Sequence, residues 1–207
     1  MNLAVIQARM SSSRLPGKVL LPIVGRPMLL HQIERIERAA SVDTVIVATS
    51  TDATDDPIAA MCEANAKPVF RGSLDDVLDR YYQAVRIFSP STVLRLTADC
   101  PLSDPAVIDT LVRVHQETKS DCTSNSREVS FPDGLDVEVV QTAVLERIWK
   151  EATEPFHREH VTAYLYDHPE EFRITHVRNE LDYSRFRWTV DYPEDYVFVK
   201  EVYARLY

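Results

Sequence analysis

The sequence has little glycine: Gly17, Gly25, Gly72 and Gly134 are the four in 207 residues. Neither G-x-x-x-x-G-K-[ST] nor G-x-G-x-x-G occurs, so the kinase, ATPase and dehydrogenase readings lose their main support. Each remaining glycine is expected to mark a backbone position that needs positive φ or close approach. Cysteine is as sparse. Cys62, Cys100 and Cys122 are odd in number and share no metal-like spacing, a pattern that fits reduced thiols and a cytoplasmic address. No run approaches the roughly 20 apolar residues that cross a bilayer, and MNLAVIQARMSSSR does not read as a secretory signal. Basic charge is in the minority, with 23 Lys and Arg against 32 Asp and Glu, a net charge of −9. That balance argues against nucleic acid, where counterion release rewards excess Lys and Arg. It leaves room for a local basic pocket that takes one small anion.

What is present is an alternation of strand and helix without repeats, low-complexity tracts or linkers, read as one domain over 1–207. The apolar run LAVI at 3–6 and TVIVAT at 44–49 read as strands buried on both faces. Further strands are expected at 68–70, 92–97, 136–140, 172–177 and 186–190. Helices are expected over 27–40, 55–65, from Ser73 to Phe88, from Asp104, over 142–151, 155–167 and 193–206. Pro27, Pro57, Pro105 and Pro193 suit first turns, and apolar stripes such as Leu74, Val77, Leu78, Tyr81 and Val85 mark buried faces. Strand–helix alternation predicts an α/β protein of three layers, α/β/α, around a mostly parallel sheet. Trp149 and Trp188 are expected in the core.

The loop after the first strand carries the chemistry. It reads QARMSSSRLPGK from Gln7 to Lys18 and holds Arg9, Arg14, Lys18 and three serines. In open α/β sheets, ligands bind outside the carboxyl ends of strands. Converging cations with serine hydroxyls and loop N–H groups there ask for an anion, and a polyphosphate fits.

Arg9-x-x-Ser12-x-Arg14-Leu15-Pro16-Gly17-Lys18 resembles the N-terminal signature of the sugar cytidylyltransferases that make CMP-activated acidic sugars, in the form of the CMP-Kdo synthetases. The segments Phe70–Ser73, Asp75–Tyr81, Thr97–Pro101, Pro132–Glu138, Arg158–Thr162 and Thr189–Asp195 are similar to the SpsF-type, spore-coat polysaccharide branch of that family. The resemblance covers nearly the whole chain. It implies a nucleotide-diphospho-sugar transferase fold, with a nucleotide-binding half to about residue 120 and an acceptor-sugar and dimerisation half from 121. It also implies attack by a sugar hydroxyl on the α-phosphorus of CTP, release of pyrophosphate and a CMP-sugar product for surface polysaccharide.

Under that resemblance Arg9, Arg14 and Lys18 hold the triphosphate. Ala8, Ser11, Ser12 and Ser13 join them on the nucleotide, with Arg71, Gly72 and Ser73 at base and ribose. Asp99 and Asp191, just past the strands TVLRLT and RWTV, are the implied Mg²⁺ ligands, and both should emerge at one sheet edge. The acceptor's carboxylate needs a cation that phosphate has not claimed, for which Arg95, Arg158 and Arg187 are candidates. Asp133, Asp136 and His160 are expected beside the sugar. His157 and His160 share a helix face, but no H-E-x-x-H and no third ligand support zinc. The Ala98-Asp99-Cys100-Pro101 segment departs from the Gly-Asp-Glu-Pro of the Kdo enzymes, which leaves the sugar open. A homodimer is expected, with residues 131–140 and Tyr164–Tyr166 offering an apolar face. Two other classes stay open: another sugar nucleotidyltransferase or glycosyltransferase on the same sheet, and a non-catalytic glycan-pathway binding protein.

Overall fold

A computed structural model describes residues 1–207. Strand β1 (Asn2–Gln7) leads through the basic loop to a small hairpin, β2 (Pro22–Ile23) and β3 (Arg26–Pro27), and then α1 (Met28–Ile36). Next come β4 (Thr44–Ser50), α2 (Asp56–Ala64), β5 (Val69–Gly72), α3 (Val77–Phe88), β6 (Thr92–Thr97) and α4 (Pro105–Thr118). The second half holds β7 (Cys122–Ser124), β8 (Glu138–Gln141), α5 (Thr142–Glu151), α6 (Pro155–Glu159), α7 (Ala163–Asp167), β9 (Ile174–His176) and α8 (Pro193–Leu206).

Seven strands form one sheet in the order β5-β4-β1-β6-β8-β7-β9. Only β8 runs against its neighbours, antiparallel to β6 and β7. The expected α/β architecture with a mostly parallel sheet is therefore the one observed. Alternate residues of the central strands feed opposite faces. Ala4, Ile6, Val47 and Leu94 pack with Leu29, Ile33, Ile58 and Leu111 from α1, α2 and α4. Leu3, Val5, Ile46 and Val93 pack with Leu78, Tyr81, Leu145 and Ile148 from α3 and α5. Burial on both faces is why these strands read as unbroken apolar runs. No helix is long and apolar enough to cross a membrane.

The strand order reverses at β1, because the chain moves outward through β4 and β5 and then returns to β6 on the other side. Gln7 pairs with Thr97 in register, so β1 and β6 end together. A crevice opens at such a switch point. Side-chain caps define where the neighbouring helices begin. Asp104 accepts from the Ala106 N–H at 2.8 Å, and Asp76 accepts from the Asp79 N–H at 2.9 Å.

Several elements depart from expectation. Helix α3 begins at Val77 rather than Ser73, because the Ser73 hydroxyl accepts from the Asp76 N–H (3.0 Å) and closes a turn first. Strand β7 was not expected; its three residues are too short to show a period. The expected helix over 155–167 splits into α6 and α7, since Val161 between them has φ +49°. The strand expected over 186–190 is an irregular segment with one bridge, Arg187 to Asp133. Its N–H groups meet a loop instead of a ladder: Trp188 and Thr189 both donate to the Asp133 carbonyl, and Val190 donates to that of Asp99. Trp188 therefore sits outside the core, lining a groove along α8.

Gly134 makes that close approach possible. Its φ is +105°, and a Cβ there would lie 2.4 Å from the Thr189 backbone nitrogen. Gly134→Ala should cost about 3 kcal/mol, because strain and backbone overlap act together. Urea unfolding should show a lower midpoint with an unchanged slope; an unchanged midpoint would show that the segment 187–190 tolerates separation from this loop.

Candidate active site

The basic loop is anchored from beneath. The fully buried Asp55 carboxylate accepts from the Met10 N–H at 2.7 Å and from the Ser50 N–H and hydroxyl at 3.2 and 2.5 Å. One carboxylate thereby ties the loop to the end of β4 and the start of α2. At the loop's far end Gly17, with φ +71°, donates to the Met10 carbonyl at 2.9 Å and turns the chain so that Lys18 enters the interior.

Lys18 is 7% exposed, and its Nζ donates to Asp99 at 3.1 Å and to Asp191 at 2.8 Å. Arg14 reaches the same Asp191 at 2.6 Å. Arg187 joins from the other side, at 2.7 Å from Asp191, 2.6 Å from Asp133 and 3.1 Å from Asp195. A cleft of about 210 Å³ opens here, with Gln7, Arg9, Ser12, Ser13, Arg14, Lys18, Thr97, Asp99 and Asp191 among its walls. The expected cation loop and both expected aspartates thus meet in one place. Ala8 is buried and lines a smaller adjoining cavity, whereas Ser11 is exposed and faces neither. Burial opposes ionisation of Asp191, yet hydrogen bonds and charge from Lys18, with Arg187 and Arg14, hold its carboxyl below the ordinary range.

Other residues fall differently. Arg71 donates to the Ser50 and Asp52 carbonyls and pairs with Asp56 at 2.6 Å, so it braces the end of β4. Gly72 packs on Arg80, where a Cβ would lie 3.0 Å from Arg80 Cγ, and the exposed Ser73 accepts from Arg80 through its carbonyl at 2.6 Å.

The cations expected to be free for an acceptor carboxylate are already paired. Arg95 donates to Glu138 at 2.6 Å, and this buried carboxylate also accepts from Thr162 and Tyr166. Arg158 grips the Asp76 carboxylate with Nε and Nη2 at 3.0 and 2.6 Å and donates to the Trp149 carbonyl. Arg187 is the third, held by the aspartates named above. The partners of Arg95 and Arg158 lie tens of residues away in sequence, where no spacing rule reaches, whereas Arg187 has Asp191 four residues on. Asp133 and Asp136 line a separate cavity of about 220 Å³ with Ser126, Phe131 and Ser184. His160 is exposed beside the Phe156 ring and faces the small cavity near Ala8. His157 bonds Asp167 at 2.8 Å, and no group of three or more metal-ligating side chains exists.

The apolar face expected for a second copy is used internally. Leu135, Val137, Val139 and Val140 are buried, and Tyr164 stacks on His168. Exposed apolar side chains instead include Val197, Phe198, Leu206 and Tyr207 on and after α8. Gln7, Asp55, Arg80 and Asp195 escaped the sequence reading. Gln7 left a trace there as the first polar residue after the LAVI run, and Arg80 and Asp195 as members of the segments Asp75–Tyr81 and Thr189–Asp195.

Comparison with known proteins agrees with this geometry. A family model described as cytidylyltransferase matches residues 3–202. The spore coat polysaccharide biosynthesis protein SpsF of Bacillus subtilis is 36% identical over 210 residues, covering 98% of this chain and 86% of that protein. A cytidylyltransferase structure from Leptospira borgpetersenii superposes with a TM-score of 0.93 at 32% identity, covering 100% of this chain and 87% of the other. A 3-deoxy-manno-octulosonate cytidylyltransferase of Anaeromyxobacter sp. is 40% identical over 112 residues, 53% of this chain and 44% of that protein.

Two outcomes follow from the pairings. Arg158→Ala should cost about 2 kcal/mol of stability, since it strands the Asp76 carboxylate and frees α6 from α3; a thermal midpoint equal to wild type would return Arg158 to the role of a substrate contact. Asp136 is pushed up to about 6, chiefly by burial, with Asp133, Glu138 and Asp99 adding like charge. A folded pKa above the unfolded value of about 3.9 means that the folded state holds the proton more tightly. The stabilisation from this group is complete below the unfolded value and lost as pH rises through the folded one. In chelator-treated buffer the wild type should therefore lose stability relative to Asp136→Asn between about pH 4 and 6. Parallel pH profiles would place Asp136 in water.

Proposed function

The chain belongs to the cytidylyltransferase family, and from that premise we propose that it transfers CMP from CTP to a hydroxyl of an acidic 2-keto-3-deoxy or nonulosonic sugar, in the cytoplasm, for surface polysaccharide. The observation that carries this reading is the Lys18 ammonium held between Asp99 and Asp191, in a cleft that Arg9 and Arg14 also enter. The names of the similar proteins support the sugar class, one acting on 3-deoxy-manno-octulosonate and one belonging to spore coat polysaccharide biosynthesis.

In the transfer, a sugar hydroxyl gives its proton to water as its oxygen bonds to the α-phosphorus, while the bond from that phosphorus to the α–β bridging oxygen breaks. Negative charge then grows on the departing pyrophosphate. Arg9, Arg14 and Lys18 meet that charge, and the anchoring of their loop by Asp55 means that little reorganisation is needed as it develops. Asp99 and Asp191 supply hard carboxylate oxygens that already share one cation, the donor set that suits Mg²⁺ completed by phosphate oxygens and water. Bound there, Mg²⁺ would neutralise triphosphate charge. Lys18 holds the two carboxylates in place, and with Arg14 it favours the ionised form of Asp191. A homodimer belongs to the same proposal, with the exposed apolar side of α8 available to it.

Among the four nucleoside triphosphates with Mg²⁺, CTP should raise the thermal midpoint most, because ligand that binds only the folded state stabilises it. Pyrophosphate should then be released with a 2-keto-3-deoxy or nonulosonic acid and not with neutral hexoses. Arg9→Ala should lower kcat about a hundredfold, on the order of 3 kcal/mol for one lost transition-state contact, with an unchanged midpoint. Absence of CTP binding, or near-normal kcat in the variant, would refute the assignment of this loop to the triphosphate.

A further inference from the structure

The sheet face under α3 and α5 is apolar along most of its length, with Leu3 and Val5 of β1, Val93 of β6 and Val140 of β8 all buried there. Toward the ends of β1 and β6 one ion pair interrupts it. Arg95 stands opposite Glu138 in register, and its Nη1 donates to that carboxylate at 2.6 Å. Glu138 is 4% exposed, and it also accepts from Thr162, just before α7, and from Tyr166 within that helix. Apolar residues can often replace a buried pair of this kind without loss of stability. Three donors gathered on one buried carboxylate therefore point to a task other than stability.

The task is visible one step along β1. Val5 pairs with Arg95 in register, so Gln7, two residues on, stands beside it on the same face. Arg95 Nη2 donates to Gln7 Oε1 at 3.4 Å. A guanidinium has no acceptor, so this contact fixes which end of the amide faces Arg95. The Nε2 end is left without a protein acceptor. Gln7 lines the cleft beside Thr97, with Lys18, Asp99 and Asp191 in the other walls. Besides its cations and carboxylates, the cleft thus contains a neutral amide donor whose orientation is set from behind.

Resting on the cytidylyl-transfer reading, we propose that Gln7 is a further catalytic residue, its Nε2 donating to a nonbridging oxygen of the α-phosphate, with Arg95 and Glu138 as the positioning residues behind it. In an in-line displacement the α-phosphorus passes through a trigonal-bipyramidal arrangement, and its nonbridging oxygens move into the equatorial plane. A donor already aimed there stabilises that arrangement without reorganising. The same donor on the attacking sugar oxygen would tie up the lone pair that forms the new bond, so the amide belongs on phosphate. With Oε1 committed to Arg95, Gln7 does not take the sugar's proton, which passes to water.

Gln7→Leu removes donor and acceptor together, whereas Gln7→Glu keeps an acceptor for Arg95 and loses only the donor. The assay uses Mg²⁺, CTP and whichever 2-keto-3-deoxy or nonulosonic acid supports pyrophosphate release in the wild type. Both variants should lower kcat about a hundredfold. KM for CTP should stay within about threefold of wild type, because the contact tightens only in the transition state. The two diastereomers of CTP that carry sulfur for one nonbridging α-oxygen locate the donor. One should be slowed in the wild type, and Gln7→Leu should shrink that penalty at least about fivefold while the other diastereomer's penalty stays the same. Arg95→Lys keeps a cation for Glu138 but loses the planar fork that reaches Gln7; it should lower kcat about tenfold and shrink the same sulfur penalty. Near-normal kcat in Gln7→Glu overturns the proposal, because Gln7 then serves only to accept from Arg95. Sulfur penalties equal in wild type and Gln7→Leu overturn it also, by taking the amide off the α-phosphate. A raised KM for CTP with unchanged kcat overturns it by making the contact one of binding alone, and wild-type kcat in Arg95→Lys overturns the positioning role. A wild type that releases no pyrophosphate from CTP refutes the cytidylyl reading itself, whereas an active wild type beside equally active variants refutes only this assignment.

Discussion

The ammonium of Lys18 between two carboxylates is the constraint on which the rest of the site depends. Asp99 follows β6 and Asp191 precedes α8, so the contact joins the first loop of the chain to its middle and to its last helix. It forms only if β1 and β6 end side by side and if the segment before α8 returns to the same edge. Both conditions are met by backbone pairing, Gln7 with Thr97 in the sheet and the Val190 N–H with the Asp99 carbonyl at 2.8 Å. A buried charge cluster of this kind is costly unless each member has a partner. Here Lys18, Arg14 and Arg187 give each of Asp99, Asp133, Asp191 and Asp195 a partner within one connected network, with one carboxylate in excess.

Residues that never face the cleft give the network its rigidity. Asp55 holds the basic loop by the Met10 N–H, and Gly17 turns its end inward. Behind β1, Glu138 gathers Arg95, Thr162 and Tyr166, and Arg95 in turn orients Gln7 at the floor of the cleft. Reading these as substrate contacts would misplace them. They are the support that lets a loop of short polar residues keep one shape.

Charge distribution separates this protein from a nonspecific anion binder. The chain carries a net charge of −9, yet the cleft draws three basic residues of one loop to a single edge. Arginines elsewhere near that edge are neutralised by carboxylates of the protein, Arg95 by Glu138 and Arg158 by Asp76. Arg9 and Arg80 have no ion-pair partner, and both line the adjoining cavity.

Sequence alone determined the strands of the first half, the basic loop after the first of them, and the placement of Asp99 just beyond a strand end. These are local facts: apolar runs of strand length, proline at first turns, and polar residues at the end of a buried run. Resemblance across the motif set added the family. Tertiary structure decided which cations stay free, since Glu138 and Asp76 lie far along the chain from Arg95 and Arg158. It split the helix over 155–167 at Val161, reduced the strand over 186–190 to a single bridge, and revealed Arg80 as a buried guanidinium with an unmet donor. The physical reason is common to all of these. Periodicity and capping act within a few residues along the chain, whereas ion pairing, close packing at Gly72 and Gly134, and desolvation depend on groups that meet only after the sheet has closed.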